Sequence, residues 1–126
     1  MKRPFCEEFI LRMSNYYEIV MFTASLSKYA EPLYNKLDSN RVSATLLYRE
    51  HCTFHNGLFV KDMARLGRPL QNVIIIDNSP TSFLFQPENA LPCVSWYDDP
   101  NDTELMDFVP ILEKLSKESD VRKILP

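Results

Sequence analysis

A hydroxyl at Thr23, an ammonium at Lys61 and an acid–amide pair at Asp77-Asn78 have the types and order that suit one chemistry, the holding of a phosphate. A hydroxyl and backbone amides orient phosphoryl oxygens, while an ammonium and a metal ion neutralise charge that builds in the transition state. Asp77 and Asn78 offer a carboxylate and a carbonyl oxygen, hard donors of the kind Mg²⁺ takes while keeping several waters. Each member alone has a plainer reading. Asp and Asn favour turns, a Thr after a strand commonly just ends it, and a lone Lys commonly sits in solvent. The ordered set, not any one residue, points to phosphate.

Two apolar runs must position these groups. Val73-Ile74-Ile75-Ile76 is a β-branched run of the kind found in parallel strands buried on both faces, and Asp77-Asn78-Ser79-Pro80 stops it. Asp77 and Asn78 therefore sit at the carboxyl end of a strand, where open α/β sheets bind ligands. Residues 17–22 form a second such run that ends at Thr23-Ala24-Ser25. If the two strands are parallel neighbours or near-neighbours, Thr23 and Asp77 share one edge, and Lys61 follows a hairpin that could deliver it there.

The remaining elements follow from periodicity and punctuation. Pro4 opens a helix over about 4–15 with Phe5, Phe9, Ile10 and Met13 on one face. A helical segment after Ser25 or Ser27 is expected to start or kink at Pro32 and to bury Tyr29, Leu33 and Leu37. Residues 44–60 read as a small antiparallel insertion: a strand over 44–48, then a hairpin over 52–60 turned by Asn56-Gly57. A short helical piece over 63–66 closes at Gly67, another starts over 79–83, and 93–96 form a last strand. Asn101 or Asp102 caps a final helix whose apolar face is Leu105, Phe108, Val109, Leu112 and Leu115. The fold class is α/β, in one domain over 1–126.

Composition narrows the function. The chain is 45% hydrophobic and 12% aromatic, so it is globular. Fourteen Lys plus Arg against seventeen acids give a net charge of −3, which excludes a basic nucleic-acid stripe. No apolar run reaches the roughly 18 residues of a membrane span, and residues 1–4 do not open a signal peptide. Cys6, Cys52 and Cys93 are odd in number and widely spaced, as expected for small buried hydrophobes in a reducing compartment, nucleus or cytoplasm. With only Gly57 and Gly67, there is no Gly-rich phosphate loop.

Residues 20–25 (Val-Met-Phe-Thr-Ala-Ser), 47–50 (Leu-Tyr-Arg-Glu), 60–62 (Val-Lys-Asp) with Leu66-Gly67, and 76–80 (Ile-Asp-Asn-Ser-Pro) resemble the FCP/SCP-like small phosphatases of the RNA polymerase II C-terminal domain. This is the NLI-interacting-factor-like branch of the haloacid dehalogenase superfamily. Trp96-Tyr97-Asp98-Asp99 and Asp102-Thr103-Glu104-Leu105 fit as well, so the resemblance runs from Lys2 nearly to the end. It implies a Rossmann-like, three-layer α/β/α parallel sheet with an inserted three-stranded sheet. It also implies Mg²⁺-dependent hydrolysis of phosphoserine or phosphothreonine in a peptide or protein, the polymerase C-terminal domain among them. By resemblance Thr23 hydrogen-bonds the phosphoryl group, Lys61 holds phosphate and nucleophile together, Asp77 and Asn78 bind Mg²⁺, and Arg49 contacts the substrate peptide. Leu26 and Tyr29 resemble part of a pocket for a substrate proline; ordinary helix packing explains them equally well.

One motif departs from the pattern. The family's first motif, Asp-x-Asp-x-Thr/Val, supplies the nucleophile that becomes an aspartyl phosphate and the general acid/base, and it is absent. The chain thus reads as the carboxyl-terminal portion of a phosphatase domain without its first central strand. Alone it is expected to be inactive and not to retain Mg²⁺. The alternative is a noncatalytic phosphopeptide- or protein-binding module with a degenerate phosphatase fold. The missing strand leaves three expected outcomes: direct pairing of 17–22 with 73–76, a strand-exchanged or edge-paired homo-oligomer, or a further upstream segment filling the gap.

Overall fold

The computed structural model describes residues 2–125; Met1 and Pro126, the ends of the expected 1–126 domain, lie outside the described residues. The chain divides into two compact units. One holds the chain up to Glu50 with Trp96–Ser116, and the other holds His51–Ser95 with the chain from Lys117.

In the first unit, α1 (Cys6–Met13) buries Phe9, Ile10 and Met13, with Glu7 and Glu8 in its first turn and Arg12 in its last, each complementing the helix dipole. It packs against α3 (Glu104–Leu115), which buries Phe108, Val109, Leu112 and Leu115 and runs through Pro110. Tyr17 donates its hydroxyl to the Leu112 carbonyl at 2.6 Å. Strand β1 (Val20–Phe22) leads into α2 (Ser27–Leu37) and returns as β2 (Thr45–Leu47), parallel to β1. Parallel strands need such a crossover. Ala30, Tyr34, Tyr48 and Met21 form the core there. Asp38 closes the α2–β2 connection by accepting from the Val42 and Ser43 amides at 3.0 and 2.9 Å. Burial alone would raise its carboxyl, but the bonds from Ser43 and Val42 hold it below the usual range.

In the second unit, β3 (Thr53–His55) and β4 (Leu58–Val60) form an antiparallel hairpin. Its turn has Asn56 and Gly57 at φ 48° and 81°, as the Asn-Gly signal requires. A 3₁₀ turn (Met63–Leu66) follows, then β5 (Ile75–Asp77), which pairs in parallel with β6 (Ala90–Pro92). Met63, Phe83 and Ala90 are the core, with Leu66, Leu70, Val73 and Ile75 against it. Buried Asn89 ties this unit together, donating to the Leu70 and Val73 carbonyls.

Several expectations change. The described residues form three two-stranded ladders, each lying within one of the two units. Residues 45–47 belong to a parallel ladder, because α2 carries the chain back alongside β1; the antiparallel piece is the two-stranded hairpin alone. Phe5 adopts φ 66° and is exposed, so α1 starts at Cys6 and its apolar face at Phe9. Helix α2 starts at Ser27, five residues before Pro32, and Leu26 rather than a serine sits at its N-cap. Its buried face is Ala30 and Tyr34, because Tyr34 inserts against Tyr48 and donates to the Leu47 carbonyl; Tyr29 and Leu33 are exposed. The last strand is 90–92 rather than 93–96, and 79–86 is a run of turns, not a helix. Thr103 is the N-cap residue of α3, and Asp102 before it takes the Arg3 guanidinium on its carboxylate while also accepting from the Glu104 backbone at the start of the helix.

Candidate phosphate-binding site

Lys61 follows β4 directly, and Asp77 is the last residue of β5. Their side chains meet: Lys61 Nζ donates to Asp77 Oδ2 at 2.5 Å, and both side chains are more than nine-tenths buried. Asp77 Oδ1 accepts from the Ser79 amide at 2.9 Å, the turn that ends the strand. Asn78 is exposed, and its Nδ2 donates to Ser95 Oγ. Replacing a buried ion pair with apolar side chains is commonly neutral or stabilising, so stability alone does not call for charge here.

The Lys61 segment has its own bracing. Its amide donates to the Ser82 carbonyl at 2.9 Å. Asp62 caps the 3₁₀ turn by accepting from the Ala64 amide, and Gln86 bonds both Asp62 and the Met63 amide. Ser82 and Gln86 carry no motif and lie some twenty residues from Lys61 in sequence, so no spacing signal could have found them.

A second cluster lies in the other unit. The Thr23 amide continues the β1–β2 ladder by donating to the Leu47 carbonyl, and Thr23 Oγ1 accepts from the Ser25 amide at 3.2 Å. Arg49 packs onto this turn: its Nε donates to the Ala24 carbonyl at 2.6 Å and its amide to the Ser25 carbonyl at 2.9 Å. Thr23 and Arg49 are therefore brought to one turn, with Arg49 anchored by β2 rather than by the hairpin insertion. Glu50 accepts from Ser27 beside them. Burial, with Glu31 and Glu50 nearby, pushes the Tyr48 phenol up. Leu26 is half-buried at the start of α2, while Tyr29 is 67% exposed with the Lys28 ammonium 5.0 Å from its ring centre. Helix packing thus does not account for Tyr29.

The donor set does not fit a complete Mg²⁺ site as it stands. Both Asp77 oxygens are engaged, one by an ammonium, and Asn78 adds one neutral oxygen. Among the described residues no three His, Cys, Asp or Glu side chains cluster. Mg²⁺ gives up its waters reluctantly and needs more charge than this.

The model of a family described as NLI interacting factor-like phosphatase matches residues 1–122. Among similar proteins, the human "CTD small phosphatase-like protein" is 54% identical over 125 residues, covering 99% of this chain and 45% of that protein. The "Probable C-terminal domain small phosphatase" of Dictyostelium discoideum is 52% identical over 124 residues, covering 98% and 40%. The human "Carboxy-terminal domain RNA polymerase II polypeptide A small phosphatase 2" is 52% identical over 121 residues, covering 96% and 45%. The chain thus spans somewhat under half the length of these curated relatives.

Proposed function

This chain belongs to the NLI interacting factor-like phosphatase family, and from that premise we propose that it is the phosphoryl-holding part of a protein serine/threonine phosphatase of the RNA polymerase II C-terminal-domain type. The observation that carries the reading is the buried Lys61–Asp77 pair at the end of β5. An ammonium kept out of water at a strand end is a strong donor to phosphoryl oxygens. In this reading Lys61 neutralises a phosphoryl group, and the Thr23 hydroxyl has the phosphoryl-binding role that the family resemblance implies for it. Arg49 takes carbonyls of the substrate peptide, and Leu26 with exposed Tyr29 takes a proline ring. The substrate is a phosphoserine or phosphothreonine peptide or protein. Mg²⁺ belongs to the intact enzyme, with Asp77 and Asn78 among its donors, and this chain alone does not hold it. The sequence contains no Asp-x-Asp, the pair that the family resemblance makes nucleophile and acid/base.

That same absence favours, for the chain by itself, the second reading: a noncatalytic module that holds a phosphopeptide or partner protein. Nucleus or cytoplasm is the compartment proposed, supported by three cysteines outside any disulfide. No described helix is long and apolar enough to cross a membrane. Fluorescence polarisation of a labelled phosphoserine peptide tests the holding role. Wild-type chain should bind, and Lys61→Met should weaken binding about ten- to hundredfold, the value of a charge-assisted hydrogen bond. Equal binding of the unphosphorylated peptide, or no effect of Lys61→Met, would remove the reading.

A further inference from the structure

We propose that Gln86 is a positioning residue for Lys61, holding the root of that side chain so that its ammonium meets Asp77. The inference rests on the phosphoryl-holding role given to Lys61 above. Gln86 is 6% exposed and lies in no strand or helix. Both ends of its amide are spent on the residues just after Lys61. Oε1 accepts from the Met63 amide at 3.1 Å, and Nε2 donates to Asp62 Oδ1 at 2.8 Å.

The turns leading to Gln86 reach the same pair from the other side. Lys61 N donates to the Ser82 carbonyl at 2.9 Å, Ser82 N to the Ser79 carbonyl at 3.0 Å, and Ser79 N to Asp77 Oδ1 at 2.9 Å. Lys61 Nζ closes the circuit at Asp77 Oδ2. Lys61 is thus tied to Asp77 twice, through its ammonium and through its own main chain. A four-carbon stem has many rotamers, so the place of the ammonium depends on the place of the root. Gln86 fixes that root beyond the point where the Ser82 bond ends.

Packing does not explain the amide. The neighbouring core is apolar, formed by Met63, Phe83 and Ala90. A buried amide costs free energy unless both ends are bonded, whereas a Met of similar length would complete such a core without that demand. What the amide adds is orientation of one segment, the one that carries Lys61.

The full chain is tested as Gln86→Met, which keeps length and loses both bonds, and as Gln86→Glu, which keeps the shape but sets a carboxylate against Asp62. Val121→Ala, a buried truncation elsewhere in the same unit, controls for lost stability. One readout is the water-exchange rate of the Lys61 ammonium protons by side-chain NMR. The other is the affinity for inorganic phosphate from amide shifts. In Gln86→Met, exchange should quicken and phosphate affinity fall, each about tenfold, while Val121→Ala moves neither. In Gln86→Glu the deficit relative to wild type should shrink as the pH falls and the new carboxyl gains a proton to donate. Unchanged Lys61 exchange in both Gln86 variants, or equal effects in Val121→Ala, overturns the proposal. If wild-type chain shows no phosphate shift at Lys61, the phosphoryl-holding reading fails, and the exchange comparison alone still decides whether Gln86 positions Lys61.

Discussion

The Lys61–Asp77 pair concentrates the chemistry of the second unit, and removing one partner should be costly. Lys61→Met leaves a buried carboxylate facing an apolar chain, and urea unfolding should show a loss of about 3–5 kcal/mol. Lys61→Met with Asp77→Leu should recover much of it; a double variant as unstable as the sum of its singles would mean that the two groups do not interact. Tyr17 offers a pH test. Burial raises its phenol from 10.0 to about 12. The neutral form is favoured in the folded chain, so this contribution is full below the unfolded value and is lost as the pH rises through the folded one. Stability should fall between about pH 10 and pH 12, and Tyr17→Phe should flatten that fall. Asp77 and Asn78 were legible because a β-branched run ends at them. The Lys61 contact was legible only as an ordered set with Thr23 and Asp77, since one lysine carries no spacing signal. Gln86 was not legible at all, because its partners lie 23 and 24 residues away in sequence.

At the scale of elements, the hairpin was readable because Asn56-Gly57 leaves few alternatives. Gly57 sits at φ 81° with open space where a Cβ would stand, so an alanine there meets conformational strain and no clash. Gly57→Ala should cost about 1–2 kcal/mol, seen as faster amide hydrogen exchange in β3 and β4; unchanged exchange would contradict the turn assignment. Other elements shifted for local reasons. Apolar spacing on α2 fits two adjacent stripes, and the contact of Tyr34 with Tyr48 and the Leu47 carbonyl selected the one through Ala30. Asn89 holds the Leu70 and Val73 carbonyls, which sets 90–92 rather than 93–96 beside β5. Nothing in residues 44–48 alone separates a parallel from an antiparallel strand; the α2 crossover decides it.

For the whole molecule, each described ladder has only two strands. Strand edges of this kind recruit other chains, and exchange is a low-cost route to dimers. We therefore expect light scattering to report a dimer or larger species at micromolar concentration; a well-folded monomer would contradict that expectation. The chemical groups also divide between the two units, with Thr23 and Arg49 in one and Lys61, Asp77 and Asn78 in the other. Family membership was readable because motifs recur in order along almost the whole chain. The central claim is that this chain holds phosphoryl groups but cannot turn them over. Phosphate release from a phosphoserine peptide in Mg²⁺, by wild-type chain beside Asp77→Ala, tests it most directly. The account predicts no release by wild type above that of the variant; Mg²⁺-dependent turnover that Asp77→Ala abolishes would contradict it.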